Sequence, residues 1–369
     1  MNKIKVIEFI TSMGEGGAQS LVKDYALFLD KSKFDVVIVD IYPSFDSGPG
    51  QVILKQQIPY ISIYPSDSKM WHLVNKIVGK YIVSLKLNRI IKKCEPLVIH
   101  SHLRVLKYLT GIQLDGIKLF YTCHSLPMKT FQSTLSTEFK AAQKLIKENN
   151  LQLIALHADM QDELNKLFCV DNTQIVYNGT DIQRFVNVDE SKESIRESLH
   201  ISSDAFVVGH VGRFMDAKNH EFIVKVFSEV CKRDKKAILL LVGTGPLKNR
   251  IISLIKELML VKNVIMLENR SDVERILKAM DVFLFPSIYE GFPISLIEAQ
   301  AAGLHCVVSN NVTSDAFVSP DLINIDLKKP LGEWVDSVMS IKQIGQFRRD
   351  IYDYEMKKTI QKLERLYSE

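Results

Sequence analysis

The sequence predicts an α/β fold with two domains, each built on a mainly parallel sheet. Short apolar runs alternate with helix-length segments along almost the whole chain, which is typical of βαβ units. The chain has 369 residues, more than a single hydrophobic core usually supports. Residues 178–204 are polar and rich in turn formers, so we predict that this segment links the two domains.

Runs rich in β-branched and aromatic residues are predicted strands, and they fall into two series. The first series is residues 4–10, 35–41, 60–64, 97–100, 117–123, 151–156 and 174–178. The second series is residues 206–212, 237–243, 264–268, 281–286 and 305–310. After Val318 the alternation stops, and two closing helices are predicted at residues 330–341 and 344–369. The predicted domains are residues 1–180 and 181–369, and we allow for the last helix to pack back on the first domain.

The composition indicates the class of protein and the compartment in which it is expected. With 46% hydrophobic and 24% charged residues, the chain is predicted to be globular rather than disordered or fibrous. The five cysteines are widely spaced and include no C-x-x-C pair, which favours a reducing compartment. No apolar run reaches the roughly 18–20 residues of a membrane span, and the first residues lack the apolar region of a signal peptide. We therefore expect a cytoplasmic protein.

The loop after the first predicted strand is rich in glycine. In parallel sheets, ligands bind beyond the C-terminal ends of the strands, and two such domains facing each other would enclose a central cleft. This loop contains Gly14, Gly16 and Gly17 and leads into a helix near Ala18, where small residues would let an anion approach the backbone amides. The spacing fits neither G-x-G-x-x-G nor a Walker A loop, so a simple tight turn is an equally good interpretation.

The second series opens with G-H-V-G-R-F-M-D-A-K-N, which places Arg213 and Lys218 between a buried strand and a helix. Two cations at a strand end would suit a doubly charged phosphate group. The alternative is that both are cations on a solvated loop.

The segment Y-E-G-F-P-I-S-L-I-E follows another predicted buried strand and carries two carboxylates, Glu290 and Glu298. Pro293 suits the first position of a helix that ends at Gly303, so the amides of residues 292–295 would be able to bind phosphate. Helical side chains lean toward the N-terminus, so Glu298 would reach back and bind a ribose diol beside that phosphate. Glu290 would face the next group of the same ligand. The alternative is that both are solvated surface carboxylates.

Taken together, these motifs resemble the retaining glycosyltransferases of family 4, which have the GT-B fold. The motifs that carry the resemblance are G-R-F-M-D-A-K-N, L-V-G-T-G-P-L, V-Y-N-G-T-D and residues 272–303. The likeness runs from Glu8 to about Ser309, and the tail D-L-K-K-P-L-G-E-W-V-D-S-V-M is similar to bacterial capsular and exopolysaccharide members. The resemblance implies two Rossmann-like domains whose parallel sheets face a central cleft.

The resemblance also implies roles for individual residues. Glu290 would contact the donor sugar and stabilise its transition state, and Glu298 would bind the ribose of the nucleotide. Further implied donor contacts are Arg213 and Lys218, which would neutralise the diphosphate, and Gly291, Phe292, Pro293 and Ile294. The residues implied near the phosphates and the acceptor are Gly16, Gly17, Ala18 and His102. His124 would lie near the reacting sugar and, with Glu290, would be catalytic.

The implied chemistry agrees with the residue types. Glycosyl transfer develops positive charge at the anomeric carbon and negative charge on the departing diphosphate, so a site needs a carboxylate near the sugar and cations at the phosphates. No Asp-x-Asp occurs in the chain, so a metal clamp is not indicated. We expect neither a metal nor a cofactor besides the nucleotide sugar itself.

A basic segment in the first domain is relevant to where the acceptor binds. Residues 69–107 contain nine Lys and Arg residues and a single acid, Glu95, with apolar residues at helical spacing between the cations. One interpretation is that the first domain rests on an anionic membrane through this segment, with Trp71 and Tyr81 as interface anchors. The other is an ordinary domain helix with lysines on its wet face. Nucleic-acid binding is not favoured, because stacking aromatics are not interleaved with the cations.

The sequence therefore predicts an enzyme that transfers a sugar, with retention, from a nucleotide-diphosphate sugar, expected to be a UDP-sugar, to a glycan. The expected acceptor is a lipid-linked intermediate of capsule, O-antigen or exopolysaccharide synthesis at the inner face of the cell membrane. One alternative is a nucleotide-sugar 2-epimerase on the same fold, and another is a nucleotide-sugar-binding protein without turnover. Release of free nucleoside diphosphate on addition of acceptor would distinguish the enzyme from the binding protein.

Overall fold

The computed structural model describes residues 3–44, 48–131, 136–340 and 350–369. The chain divides into two compact units, one formed by Met1–Asn178 with Lys357–Glu369 and the other by Gly179–Met356. Each unit contains one parallel sheet with helices between successive strands. The predicted α/β fold with two Rossmann-like domains is therefore confirmed.

The first unit has a seven-stranded sheet in the order β3-β2-β1-β4-β5-β6-β7. Its strands are β1 (Ile4–Ser12), β2 (Phe34–Tyr42), β3 (Tyr60–Ser62), β4 (Val98–His102), β5 (Lys118–Thr122), β6 (Gln152–Ala155) and β7 (Gln174–Ile175). Its helices include α1 (Gly17–Phe28), α2 (Gly48–Lys55), α3 (Lys69–Cys94), α4 (Pro127–Phe131), α5 (Thr137–Asn149) and α6 (Ala158–Phe168). The strand order reverses between β1 and β4, so the loops after these two strands border the crevice where parallel sheets bind ligands.

The second unit has a six-stranded sheet in the order β10-β9-β8-β11-β12-β13. Its strands are β8 (Val207–Val211), β9 (Ile238–Val242), β10 (Val264–Leu267), β11 (Val282–Phe285), β12 (His305–Ser309) and β13 (Ile323–Ile325). Its helices are α7 (Ile182–Val186), α8 (Lys192–Ser198), α9 (His220–Arg233), α10 (Lys248–Glu257), α11 (Val273–Lys278), α12 (Ile294–Ala301) and α13 (Leu331–Met339). Here the strand order reverses between β8 and β11.

Strong apolar periodicity explains how the helices cover the second sheet. In α9, the residues that face the sheet recur at a spacing of three or four and are buried: Ile223, Val224, Phe227, Val230 and Cys231. Trp334 from α13 is fully buried and packs edge-on against Phe222, with ring centroids 5.1 Å apart. Burial of a large apolar side chain contributes about 1.5–3 kcal/mol, so these two helices fix the back of the sheet firmly.

The end of the chain differs from the prediction. Ile323–Ile325 adds the strand β13, which the sequence did not predict after Val318. In place of one helix over 344–369, the chain has a 3₁₀ turn at Ile351–Tyr354 and then α14 (Met356–Ser368), while residues 344–349 lie outside the described residues. At this turn the ring of Tyr354 is only 1% exposed and stacks on Phe292 of the second unit. Helix α14 then belongs to the first unit from Lys357 onward.

Within the described ranges, no helix combines the length and the apolar character that crossing a bilayer requires.

Candidate functional site

Two loops meet at the strand-order reversal of the second unit, one after β8 and one after β11. Asn219 donates from Nδ2 to the carbonyl of Pro286 at 3.2 Å, and the amide of Ile288 donates to the carbonyl of Ala217 at 2.7 Å. Asn219 has a positive φ of 56°, a conformation that asparagine tolerates better than most residues. These bonds hold the predicted phosphate-binding loop against the loop that carries Glu290.

Two glycines after β9 shape the loop that contains Arg213. A Cβ on Gly243 would lie 2.2 Å from the carbonyl oxygen of Gly212, and one on Gly245 would lie 2.5 Å from that of Phe214. Their φ angles of 145° and 151° are also unfavourable for other residues. The amide of Phe214 donates to the carbonyl of Thr244 at 2.7 Å. The L-V-G-T-G motif therefore holds the backbone on either side of Arg213.

Lys218 and Glu290 form an ion pair at the centre of this edge. Nζ of Lys218 donates to Oε1 of Glu290 at 2.8 Å, and the two side chains are only 15% and 11% exposed. The same Nζ lies 4.8 Å from the ring centroid of Phe285, the last residue of β11. The structure thus joins two residues that the sequence predicted as parts of one site. Arg213 is exposed on the same loop.

Helix α12 begins at Ile294, with Pro293 at its N-cap, close to the predicted start. The amides of Leu296 and Ile297 donate to the carbonyl of Pro293, whereas among the described residues the amide of Ser295 has no backbone partner. Gly291, Ile294 and Ser295 are partly exposed, and Phe292 and Pro293 are buried. The amide of Ile294 donates to the carbonyl of Phe292, so the first turn presents the amide of Ser295 as the donor that favours an anion.

Glu298 lies one turn further along α12 and is partly exposed. Thr180 donates from Oγ1 to Oε1 of Glu298 at 3.1 Å, and the backbone of Thr180 is itself held by bonds to Tyr354 and Met356. Phe292 stacks on Tyr354 with a centroid distance of 5.5 Å. The segment just before α14 thus orients both Glu298 and the start of α12.

The glycine-rich loop of the first unit follows β1 and leads directly into α1. Gly16 is the N-cap residue of α1, Gly17 and Ala18 form its first turn, and the amide of Ser20 donates to the carbonyl of Gly16 at 3.0 Å. A Cβ on Gly17 would meet no described atom within 4 Å, so packing inside the chain does not require a glycine there. Open space at the amino end of a twelve-residue helix suits a ligand that approaches the backbone.

The two predicted histidines of the first unit contact each other. Nδ1 of His102 and Nε2 of His124 are 2.9 Å apart, and Nε2 of His102 is 2.7 Å from Oε2 of Glu8. His124 follows β5 and is half-buried, whereas His102 and Glu8 are completely buried. His102, predicted near the phosphates and the acceptor, therefore lies behind His124 rather than at the surface.

Glu8 has a second set of partners on the same face of the sheet. Tyr367 of α14 donates to Oε1 of Glu8 at 3.1 Å, and its hydroxyl oxygen is 2.6 Å from Nδ1 of His100. Nε2 of His100 is 2.7 Å from Oγ1 of Thr122. The strand register explains the grouping, because Glu8 pairs with His100 and the side chains of His100 and His102 share one face.

Burial keeps this network neutral. Burial raises the pKa of Glu8 to about 8, although its hydrogen bond with Tyr367 lowers that pKa in part. Burial lowers the pKa of His102 to about 3 and holds the pKa values of His100 and His124 well below the usual range. Desolvation disfavours the charged form of each group, so at neutral pH the carboxyl is protonated and the rings are uncharged.

Glu8, His100 and His102 also bring one potential metal-ligand atom each within 4.8 Å of one another. Both ring nitrogens of each histidine, however, already lie within hydrogen-bond distance of protein groups. A metal ion would have to displace these bonds inside a closed core. We therefore interpret the cluster as a hydrogen-bonded network.

The sequence prediction missed Glu8, His100, Thr122 and Tyr367 as members of this network. Two signals were present: a glutamate in the middle of an apolar strand, and two histidines spaced two residues apart on another. A buried ionisable group needs a partner, so the first signal alone required one. Sequence patterns do not identify Tyr367 as the partner of Glu8, because the two residues are 359 positions apart.

Two family models match the chain. The model described as Glycosyltransferase Family 4 matches residues 15–184, and the model described as Glycosyl transferases group 1 matches residues 191–321. The first matched range lies mostly in the first unit, and the second lies within the second unit.

Individual proteins that are similar to this chain are also named as glycosyltransferases. EpsF of Bacillus subtilis, named as a glycosyltransferase, is 25% identical over 94% of this chain and 90% of its own length. The UDP-Gal:alpha-D-GlcNAc-diphosphoundecaprenol alpha-1,3-galactosyltransferase of Escherichia coli is 30% identical over 61% of each chain. Among solved structures, Anabaena HepE in complex with UDP-glucose superposes with a TM-score of 0.73, covering 99% of both chains at 18% identity. That likeness concerns the fold.

Proposed function

Because the chain belongs to the family 4 glycosyltransferases, with the GT-B fold and an enzyme activity of the hexosyltransferase type, we propose that it transfers a hexose, with retention, from a UDP-sugar to a lipid-linked glycan. The observation that supports this best is the ion pair between Lys218 and Glu290 beside the amide end of α12. It brings a cation, a carboxylate and helix amides to one edge of one sheet.

Each group has a role in the proposed reaction. Lys218 and Arg213 neutralise the diphosphate as negative charge develops on it, together with the amides at the start of α12. Glu290 faces the sugar and stabilises positive charge at the anomeric carbon. Glu298, oriented by Thr180, accepts hydrogen bonds from the ribose hydroxyls. Gly291, Phe292, Pro293 and Ile294 shape the turn that contacts the donor.

In the first unit, we assign His124 to the reacting sugar and the loop of Gly16, Gly17 and Ala18 to the phosphates and the acceptor. The open space over Gly17 supports this role for the loop. His102 acts behind His124. With two cations and helix amides available for the leaving group, the proposed reaction needs no metal ion and no cofactor.

The choice of donor and acceptor rests on the relatives. The Escherichia coli relative is named for transfer from UDP-galactose to a sugar linked to diphosphoundecaprenol, and HepE was solved with UDP-glucose. We assign a UDP-sugar and a polyprenyl-diphosphate-linked glycan to this chain by analogy, within capsule, O-antigen or exopolysaccharide synthesis.

Contact with the inner face of the cell membrane is part of the proposal, and α3 supports it. The side of α3 that faces the sheet is buried at Gly79, Val83, Leu87 and Ile91. On another side, exposed apolar residues recur at a spacing of three or four: Met70, Leu73, Ile77, Tyr81 and Leu85. An apolar stripe that faces solvent is unusual on an ordinary domain helix and suits a lipid interface. Trp71, the other predicted anchor, instead stacks on Tyr64 at 5.0 Å.

Basic residues stand beside this stripe. A groove of about 560 Å³ between α3, α5 and the Leu106–Tyr108 turn is lined by Lys76, Lys80, Lys107, Lys140 and Lys144, and none of the described residues that line it is acidic. Each lysine near an anionic surface contributes about 1 kcal/mol of attraction. We expect binding to vesicles that contain phosphatidylglycerol, weakened by salt and by Lys76→Glu with Lys80→Glu. The matched control is Lys262→Glu with Lys328→Glu, and absence of binding even at low salt would refute membrane contact.

The reaction itself is tested in two steps. A panel of nucleotides and nucleotide sugars is screened for thermal stabilisation, and we expect uridine diphosphates to give the largest shift. Acceptors are then added to the stabilising donor, and release of free UDP with a sugar on the acceptor establishes turnover. Product with inverted anomeric configuration would refute retention, and stabilisation without UDP release for any polyprenyl-linked acceptor would favour the binding-protein alternative.

A further inference from the structure

The hydrogen-bonded chain from Glu8 through His102 to His124 leads from a buried carboxyl group to the edge of the sheet. The oxygen-to-nitrogen and nitrogen-to-nitrogen distances are 2.7 and 2.9 Å, both within normal hydrogen-bond range. The outer nitrogen of the chain, Nδ1 of His124, has no hydrogen-bond partner among the described residues. It belongs to a half-buried ring just beyond the C-terminal end of β5.

Each hydrogen bond of the Glu8–His102–His124 series contains one proton, so the protonation of Glu8 determines the tautomers of both histidines. If Glu8 donates to Nε2 of His102, then His102 carries its proton on Nδ1 and donates to Nε2 of His124, which must carry its own proton on Nδ1. If Glu8 is a carboxylate, both histidines carry their protons on Nε2, and Nδ1 of His124 is a lone pair. The two arrangements share the same heavy-atom positions.

We propose that Glu8 is a positioning residue that acts through His102 and sets whether His124 presents a proton or a lone pair to its ligand. The protonated arrangement contains three protons, on Glu8, His102 and His124, and the other contains two. The change releases one proton to solvent from Nδ1 of His124, while the other two protons each shift across one hydrogen bond toward that ring. No ring has to rotate.

The surroundings of Glu8 decide which arrangement is present at neutral pH. The titratable groups packed around the carboxyl are Tyr25 of α1, His100 and His102 of β4 and Tyr367 of α14. Both tyrosines have pKa values well above the usual range, first because of burial, and the histidines are neutral. No cation stands among these contacts, so a carboxylate would have no ionic partner. His124 therefore presents a proton below about pH 8, the pKa to which burial raises Glu8.

A proton on Nδ1 suits a ligand oxygen that accepts a hydrogen bond, such as a sugar hydroxyl or a phosphate oxygen. A lone pair would repel the same oxygen. This inference rests on the proposed function only in assigning that ligand, since the tautomer linkage is a property of the free protein.

The test is a ¹⁵N NMR titration of the histidine rings in the full chain without ligand, from about pH 6 to about pH 10. In the wild type, we expect the Nδ1 resonance of His124 to change from a protonated to an unprotonated nitrogen with a midpoint near pH 8. Glu8→Gln keeps an amide donor toward His102 and has no proton to lose, so Nδ1 should stay protonated throughout. Tyr367→Phe should move the midpoint to higher pH, because its hydroxyl lowers the pKa of Glu8.

Asp40 provides the matched control. It is another buried carboxyl of the same sheet, its pKa is raised to about 7 by burial, and it contacts Tyr60 and Ser62 rather than the histidines. Asp40→Asn should leave the titration of His124 in place. A His124 tautomer that does not change with pH in the wild type, or one that still changes in Glu8→Gln, would overturn the proposal. Neither result depends on glycosyl transfer, so failure of the proposed function would be seen separately.

Discussion

Neutralising Glu290 should change donor binding and turnover in opposite directions. In the free protein, Lys218 donates to Glu290 at 2.8 Å in a site that is largely shielded from water. A phosphate bound to the same Nζ would stand about 5–6 Å from the carboxylate, given ion-pair distances of about 2.8 Å on each side. Glu290→Gln keeps the shape of the side chain and removes its charge.

The magnitude follows from that geometry. Two like unit charges about 5.6 Å apart repel by about 3 kcal/mol at an effective dielectric constant of about 20. Allowing for about half of this to be lost to solvent screening leaves about 1.5 kcal/mol, which corresponds to roughly tenfold tighter binding of UDP. Turnover should fall by about 100-fold to 1,000-fold, because the carboxylate that stabilises the developing positive charge is gone.

Isothermal titration with UDP measures the first effect, and UDP release from the donor with acceptor present measures the second. Glu333→Gln is the matched control, because it makes the same change in an exposed ion pair with Lys329 in the same unit. It should alter neither quantity. If UDP binds Glu290→Gln no more tightly than the wild type, the proposed placement of the diphosphate on Lys218 is wrong.

Four other substitutions test the remaining parts of the structure. Glu298→Ala should abolish stabilisation by UDP in thermal unfolding, while Thr180→Val, which removes one hydrogen bond to Glu298, should weaken binding less than tenfold. Gly245→Ala should lower stability by about 1–3 kcal/mol and weaken UDP binding, because its Cβ would meet the backbone of Phe214; an unchanged melting temperature would contradict this. Glu8 has a higher pKa in the folded state than its usual 4.5, so it contributes stability that is present at low pH and is lost progressively as the pH rises to about 8. Glu8→Gln should therefore lose less stability than the wild type between about pH 5 and about pH 8, and parallel stability curves would refute the raised pKa.

Much of the fold could be predicted from the sequence, because parallel strands covered by helices are short apolar runs at regular intervals. The sequence does not predict β13, because its segment P-D-L-I-N-I-D-L is interrupted by Asp321, Asn324 and Asp326 and contains no continuous apolar run. The closing helix was predicted too long, since the sequence pattern does not show that Tyr354 turns inward to stack on Phe292. In both cases tertiary contacts determine the local structure.

The sequence predicts the segments that form the candidate site, but it does not predict which side chains contact each other. The start of α12 and the loops after β1 and β8 follow from turn and helix signals near each strand end. The pairing of Lys218 with Glu290 joins residues 72 positions apart, and local patterns carry no information on which charge meets which. Tyr367 of α14 is separated from its partner Glu8 by even more residues, so local patterns do not identify that contact either.

The first unit is interrupted in the chain, because Lys357–Glu369 completes it after all of Gly179–Met356. A ribosome therefore finishes the whole second unit before it adds the helix that carries Tyr367. Until then, the nascent amino-terminal portion lacks the hydroxyl that binds Glu8 and His100. The histidine-bearing half can therefore reach its final form only after the whole second unit has been synthesised.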